Sequence, residues 1–225
     1  MALHDHQDAA ARLAATRSAI AKAAGLAGRA ADSVNLIAVS KTHPVEAIEP
    51  LILAGQRMFG ENRVQEVQEK WPALRERHSD LALHLVGQLQ SNKAEEAVLL
   101  FDAIHSVDRL SLVSALARAM AKHDRRPECF LQVNIGEEAQ KGGCAIAEVP
   151  PLLAEMRTAE LPVAGLMCVP PADVEAAPYF ALLAKIARDN GVAGLSMGMS
   201  GDFETAVMLG ATHVRVGTAL FGARD

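Results

Sequence analysis

From residue 33 onward, apolar positions cluster in short runs of strand length, separated by stretches in which they recur at helical spacing. The runs are "NLIAVSK" (35–41), "RMFGEN" (57–62), "LALHLVGQ" (81–88), "FDAIHSV" (101–107), "CFLQVNI" (129–135), "LPVAGLMCV" (161–169), "GLSMGMS" (194–200) and "HVRVGTALFG" (213–222). Amphipathic segments such as "VEAIEPLILAG" and "DRLSLVSALARAMAKH" lie between them. Eight strand–helix alternations in this length predict an α/β protein, a (β/α)8 TIM-type barrel over 33–225. A doubly wound open sheet is the structural alternative. No Pro/Gly/Ser-rich linker divides the chain, so 1–225 reads as one domain.

Residues 1–30 predict an additional helix, with Leu13, Ile20 and Ala24 on one face and Arg12, Lys22 and Arg29 in water. Only a few residues follow the eighth strand, too few for a full closing helix, and the N-terminal helix is expected to cover that seam. The Ala- and Arg-rich start also suits a transit peptide, but Asp5 and Asp8 interrupt it. His4 and His6 read as tail.

Composition narrows the function. A net charge of −5 and 4% aromatic residues argue against nucleic acid as a partner. No apolar run approaches the ~18 residues of a membrane span. Cys129, Cys144 and Cys168 are odd in number and widely spaced, which fits a reducing, cytoplasmic setting rather than a disulfide scaffold or zinc site. His84, His105 and His213 read as core or rim groups, and "ENRVQEVQEK" as a wet helix face.

Barrel chemistry gathers at the C-terminal ends of the strands. There the sequence places Lys41, Asn62, Gln88, Ser106, Asn134, Met167, Ser196 and Arg215. "SMGMSGDFETAV" predicts a helix capped by Ser200 or Gly201, whose free N–H groups favour an anion. Gly217 and Thr218 in "VRVGTALFG" extend that cradle, and Lys41 faces it across the rim. A lysine beside an apolar strand, with a cation such as Arg215 near, has a lowered pKa and can attack a carbonyl. Two ligands fit: pyridoxal phosphate, or a sugar phosphate as in Schiff-base aldolases. With Glu61 the one carboxylate at an inner strand tip, the cofactor is favoured. Lys141, in the loop "QKGG", reads as an exposed lysine or a transient second capture point.

Together "AVSKT", "FGENRVQE", "HLVGQLQSNK", "VNI", "GLM", "LSMGMSGDFETAV" and "VRVGTALFGARD" resemble the pyridoxal-phosphate homeostasis protein family, of the alanine-racemase N-terminal barrel group, over residues 33 to 225. The resemblance implies a pyridoxal phosphate Schiff base on Lys41. Ser196, Ser200, Gly217 and Thr218 would hold the phosphate and Arg215 would face the pyridine nitrogen. Asn62 and Met167 would line the ring, with 87–93 at the pocket mouth. It implies buffering, storage or delivery of the cofactor, with pyridoxal-phosphate-dependent apo-enzymes as transient partners and a monomeric state. The competing reading is a slow amino-acid racemase. Racemases of this group add a tyrosine base from a second domain, and Tyr179, in a helical stretch, reads as a packing residue.

Overall fold

Each apolar run becomes a parallel strand: β1 (Asn35–Val39), β2 (Met58–Glu61), β3 (Ala82–Leu85), β4 (Ala103–Val107), β5 (Glu128–Val133), β6 (Val163–Cys168), β7 (Gly194–Ser196) and β8 (His213–Val216). They pair in chain order, and β8 returns to β1 with Asn35 opposite His213 and Ile37 opposite Arg215. The sheet is a closed barrel, not an open doubly wound one. This is a computed structural model describing residues 2–222, with side chains from residue 7 onward. The end of the expected 33–225 span, and the side chains of His4 and His6, lie outside the described residues.

Helices α2 (Val45–Leu53), α3 (Val64–Arg77), α4 (Ala94–Leu100), α5 (Leu110–His123), α6 (Val149–Thr158), α7 (Ala177–Asp189) and α8 (Phe203–Met208) follow the first seven strands in turn. After β8 the described residues hold only α9 (Thr218–Phe221), a single turn. The N-terminal helix α1 (Ala2–Leu26) packs against α8, α2 and α9, closing the seam where an eighth full helix would lie. It buries Ala9, Leu13, Ile20, Ala23 and Ala24. Its backbone takes in positions 4 and 6, so these belong to a helix rather than a tail.

Two arginines expected in water are anchors instead. Arg12 Nε donates to the Leu220 carbonyl at 2.7 Å, and Arg29 donates to the Val207 and Ala211 carbonyls at 2.8 Å each. Carbonyls at helix C-termini lack intrahelical donors, and a guanidinium supplies them. Lys22 stays exposed.

Rings from β3, β4, β5 and β8 meet inside the barrel. Phe130 stacks on His105 with centroids 4.3 Å apart, and His213 meets Phe130 edge-on at 5.1 Å. His84 Nδ1 and His105 Nε2 are 2.8 Å apart, and His213 Nδ1 lies 2.9 Å from the Thr212 hydroxyl. These are hydrogen-bonded core histidines. Loss of hydration pushes His84 down to about 3 and His213 to about 4, with repulsion from His213 and Arg215 respectively adding to it. The fully buried His105 falls well below its ordinary value for the same leading reason.

The unfolded chain therefore binds protons, from near pH 6.5 downward, that the folded chain refuses. Stability contributed by these groups is complete above about pH 7 and is lost as pH falls toward 4, by up to ~1.4 kcal/mol per pH unit for each histidine. Urea unfolding across this range should show that slope, and His213→Gln should flatten it by one histidine's share. An unchanged slope in the variant would place the acid sensitivity elsewhere.

Candidate functional site

A cavity of about 430 Å3 opens at the C-terminal rim beside β1 and β8. Lys41, Asn62, Ser200, Arg215, Gly217 and Thr218 line it, with Val39, His43, Val86, Val169, Met199, Gly201 and Gly222 completing its wall. Six of the eight expected site residues therefore meet. Lys41 and the cradle do not face each other across the rim. They lie on neighbouring strands, because the barrel closes between β1 and β8.

The other strand-end residues have different places. Met167 is buried in β6 and Ser196 lies wholly buried beneath Arg215; neither lines the cavity. Gln88 donates to Gln132 Oε1 at 2.5 Å, and Gln132 donates to the Gly142 carbonyl at 3.1 Å. These bonds fasten the 134–144 loop near the expected mouth. Asn134 shapes the same loop through both its amide atoms and Glu138, the role of a turn residue. Ser106 is inside β4, its buried hydroxyl without a hydrogen-bond partner among the described residues. Lys141 is tied to Glu138 at 2.6 Å and to the Pro170 carbonyl at 2.9 Å.

Lys41 sits two residues past β1, half-buried. Among the described residues its ammonium has no hydrogen-bond or ion-pair partner. The turn that carries it is held from behind. Lys70 Nζ donates to the Ser40 carbonyl at 3.1 Å and the His43 carbonyl at 3.2 Å, and pairs with Glu61 Oε1 at 2.8 Å. All three of its N–H donors are thereby used. Glu61 Oε1 also accepts from the Ser40 hydroxyl at 2.8 Å and Trp71 Nε1 at 3.1 Å. Glu66 accepts the Thr42 N–H at 3.1 Å, where the backbone has φ +64°, a costly region for a β-branched residue.

The 61–70 segment is a wet helix face only in part: Arg63, Gln65, Gln68 and Glu69 are exposed, but the Lys70 side chain is only 14% exposed and Glu61 fully buried. Sequence reasoning missed this clamp. Its trace was the i, i+4 pair Glu66 and Lys70 directly after a strand ending in a carboxylate.

The cradle differs in detail from expectation. Helix α8 starts at Phe203 with Asp202 at its cap, not Ser200 or Gly201. The Asp202 carboxylate accepts the Met199 N–H at 2.6 Å, closing a turn over 199–202 and leaving Ser200 and Gly201 on the cavity wall. Gly198 makes this turn possible: it has φ +94°, and a Cβ there would lie 2.6 Å from the Ala206 methyl carbon. Ser200 Oγ accepts from the Gly217 N–H at 3.2 Å and the Ala219 N–H at 3.5 Å, so two converging amides already hold an oxygen.

Arg215 is the one buried cation of the wall. Nη1 donates to Ser196 Oγ at 2.7 Å and Nη2 to the Cys168 carbonyl at 2.8 Å. Among the described residues no carboxylate pairs with it, and burial pulls its pKa down. The three cysteines are free and buried, and burial pushes each thiol up to about 12.

The profile of the alanine racemase N-terminal domain matches residues 12–225, which sets the class of barrel. The pyridoxal phosphate homeostasis protein of Escherichia coli K12 is 39% identical, with 97% of each chain covered. That of Pseudomonas aeruginosa PAO1 is 41% identical over 95% of this chain and 94% of its own. The structure of PipY from Synechococcus elongatus with PLP bound superposes with a TM-score of 0.84 at 40% identity, covering 95% of this chain and 100% of that one. Alanine racemase from Clostridium difficile shares the fold, with a TM-score of 0.70 at 17% identity, over 86% of this chain and 53% of its own. This chain belongs to the pyridoxal phosphate homeostasis protein family.

The clamp behind Lys41 gives a stability test. Glu61→Gln leaves the Lys70 ammonium only the more distant Glu66 carboxylate, at 3.7 Å, as counter-charge in a largely buried place, and should cost about 3 kcal/mol in urea unfolding. Adding Lys70→Met should recover part of that loss, since the two groups act as one unit. Fully additive losses would mean that the pair is not coupled.

Proposed function

We propose that this protein binds pyridoxal 5'-phosphate, held covalently as a Schiff base on Lys41, and buffers, stores or delivers it without efficient turnover. One observation carries the reading. Among the described residues, an amine without a hydrogen-bond or ion-pair partner, a buried guanidinium whose hydrogen bonds go to neutral groups, and a cradle of backbone amides share one cavity. The family names and the PLP-bound relative support it.

The residues fit the cofactor. Its phosphate suits Ser200, Thr218 and the amides of 217 and 219, which already bind an oxygen. Arg215 meets the ring nitrogen as a donor that gives up no proton, and Asn62 borders the ring. When bound, the cofactor supplies an aldehyde for an amine and, if its ring is protonated, an electron sink. Arg215 disfavours that protonation, so the chain's own side chains hold the molecule more than they activate it. Met167 and Ser196 act from behind the wall. Tyr179 packs partly buried against the core from α7.

Reduced thiols and the absence, among the described residues, of any helix long and apolar enough to cross a membrane accord with a cytoplasmic role. Transfer to apo-enzymes and a monomeric state belong to the same proposal. The second reading, a slow amino-acid racemase, draws on His43. It lines the cavity, stacked on Phe221 at 4.4 Å, as a titratable group beside Lys41.

Borohydride reduction followed by peptide mapping should place a pyridoxyl group on Lys41, and Lys41→Ala should abolish it. A label chiefly on Lys93 or Lys141 would overturn the assignment. Pyridoxal without its phosphate should bind at least tenfold more weakly, given charge-assisted bonds of roughly 1.5–3 kcal/mol each. Equal affinity would remove the cradle from the argument. A racemisation assay with purified protein should detect at most trace turnover, and sustained turnover lost in His43→Ala would favour the racemase.

A further inference from the structure

The interior of the barrel holds a hydrogen-bonded line running from its centre to Arg215: His84, His105, Ser196 and the guanidinium. The contacts are 2.8 Å (His84 Nδ1 to His105 Nε2), 2.8 Å (His105 Nδ1 to Ser196 Oγ) and 2.7 Å (Ser196 Oγ to Arg215 Nη1). His84, His105, Ser196 and Arg215 are all buried. We propose that this line is a one-directional relay that orients Arg215 toward the cavity without giving it a counter-charge. His105 and Ser196 are then positioning residues for the contact with the ligand's ring nitrogen. The proposal rests on the cofactor reading above.

The direction follows from donor counting. A guanidinium only donates, so Ser196 Oγ accepts from Arg215. The hydroxyl keeps one hydrogen, and among the described residues its other neighbour is His105 Nδ1. Ser196 therefore donates to His105 Nδ1, which must be bare. His105 carries its hydrogen on Nε2 and donates it to a bare Nδ1 on His84. Reversing the line would leave the Ser196 hydrogen buried with no acceptor, a cost this order avoids.

Charge explains why neutral groups stand here. A carboxylate at position 196 would pair with the guanidinium and cancel the field it presents to a ligand. A hydroxyl and two imidazoles instead turn the negative ends of their dipoles toward Arg215 and leave its charge intact. His213 opposes a proton on either histidine and Arg215 opposes one on His105, while Cys168 and Asp202 act on the guanidinium end of the line. Phe130, stacked on His105 at an interplanar angle of 15°, fixes the ring plane.

The first test needs no cofactor. Nitrogen-15 NMR of histidine-labelled apo-protein should show His84 and His105 as neutral Nε2–H tautomers from about pH 5.5 to about 8.5. An Nδ1–H form of His105, or a cationic ring at either position in that range, would overturn the relay. The second test uses binding. Ser196→Ala and His105→Leu should each weaken pyridoxal phosphate about tenfold, and weaken phosphate-free pyridoxal by the same factor, because the effect acts at the ring. Neither should add to Arg215→Gln, and His105→Asn, which keeps an acceptor for Ser196, should stay within about threefold of wild type. If Ser196→Ala weakened only the phosphate ester, or added fully to Arg215→Gln, Ser196 would act on the phosphate and the relay would fall. A wild-type protein that bound no pyridoxal phosphate would refute the cofactor reading, while the tautomers would still decide the relay.

Discussion

Closure of the sheet between β8 and β1 is the constraint on which the site depends. Pairing Ile37 with Arg215 and Ala38 with Val216 brings residues from opposite ends of the chain side by side. Lys41 leaves one strand just where Gly217 and Thr218 leave the other. An open sheet would have put these two strands on separate edges and dispersed the cavity. The same closure explains α1: with only one helical turn after β8, the seam is covered from the other end of the chain. Arg12 and Arg29 fasten that cover by bonding to the ends of α9 and α8.

A parallel barrel is usually filled by branched aliphatic side chains. Here part of the filling is imidazole, and burying it costs acid stability. Three rings kept neutral give up protons that the unfolded chain would hold. That cost lies directly below the one buried guanidinium of the wall. An aliphatic layer would have left the Ser196 hydroxyl, which accepts from Arg215 Nη1, without its second hydrogen-bond partner in a buried place, which is dearer still.

The barrel was legible in the sequence because strands covered on both faces are apolar at consecutive positions, while the helices between them keep a wet face. The rim residues were legible because polar groups at the ends of such runs stand out. What sequence could not supply was direction. Ser196 and Ser200 are four residues apart and of one type, yet one hydroxyl joins two loops at the cavity and the other lies under Arg215. Lys70 has the spacing of a surface ion-pair residue but turns inward, because a buried carboxylate at Glu61 and two loop carbonyls await it. Helix α8 begins later than periodicity suggested since Asp202 folds back on the Met199 amide. In each case the deciding partner is remote in sequence or defined by backbone geometry.

Two lysines close to one another divide the work at the rim. Lys70 spends two donors on the turn behind Lys41 and the third on Glu61, and that turn carries a strained residue at Thr42 that loose packing would not maintain. Lys41 spends none. On the proposed reading, a stiff mount and an uncommitted amine suit a group that forms and releases a bond to an incoming aldehyde many times. On the proposed reading, the same logic governs Arg215, which is oriented by neutral groups and keeps its charge for the ligand. Rigidity is placed around the reactive atoms, and among the described residues neither cation is paired with a carboxylate. That arrangement favours holding an anionic, nitrogen-bearing ring over stabilising the carbanion that amino-acid chemistry would require, because a ring nitrogen facing a permanent cation draws electrons weakly.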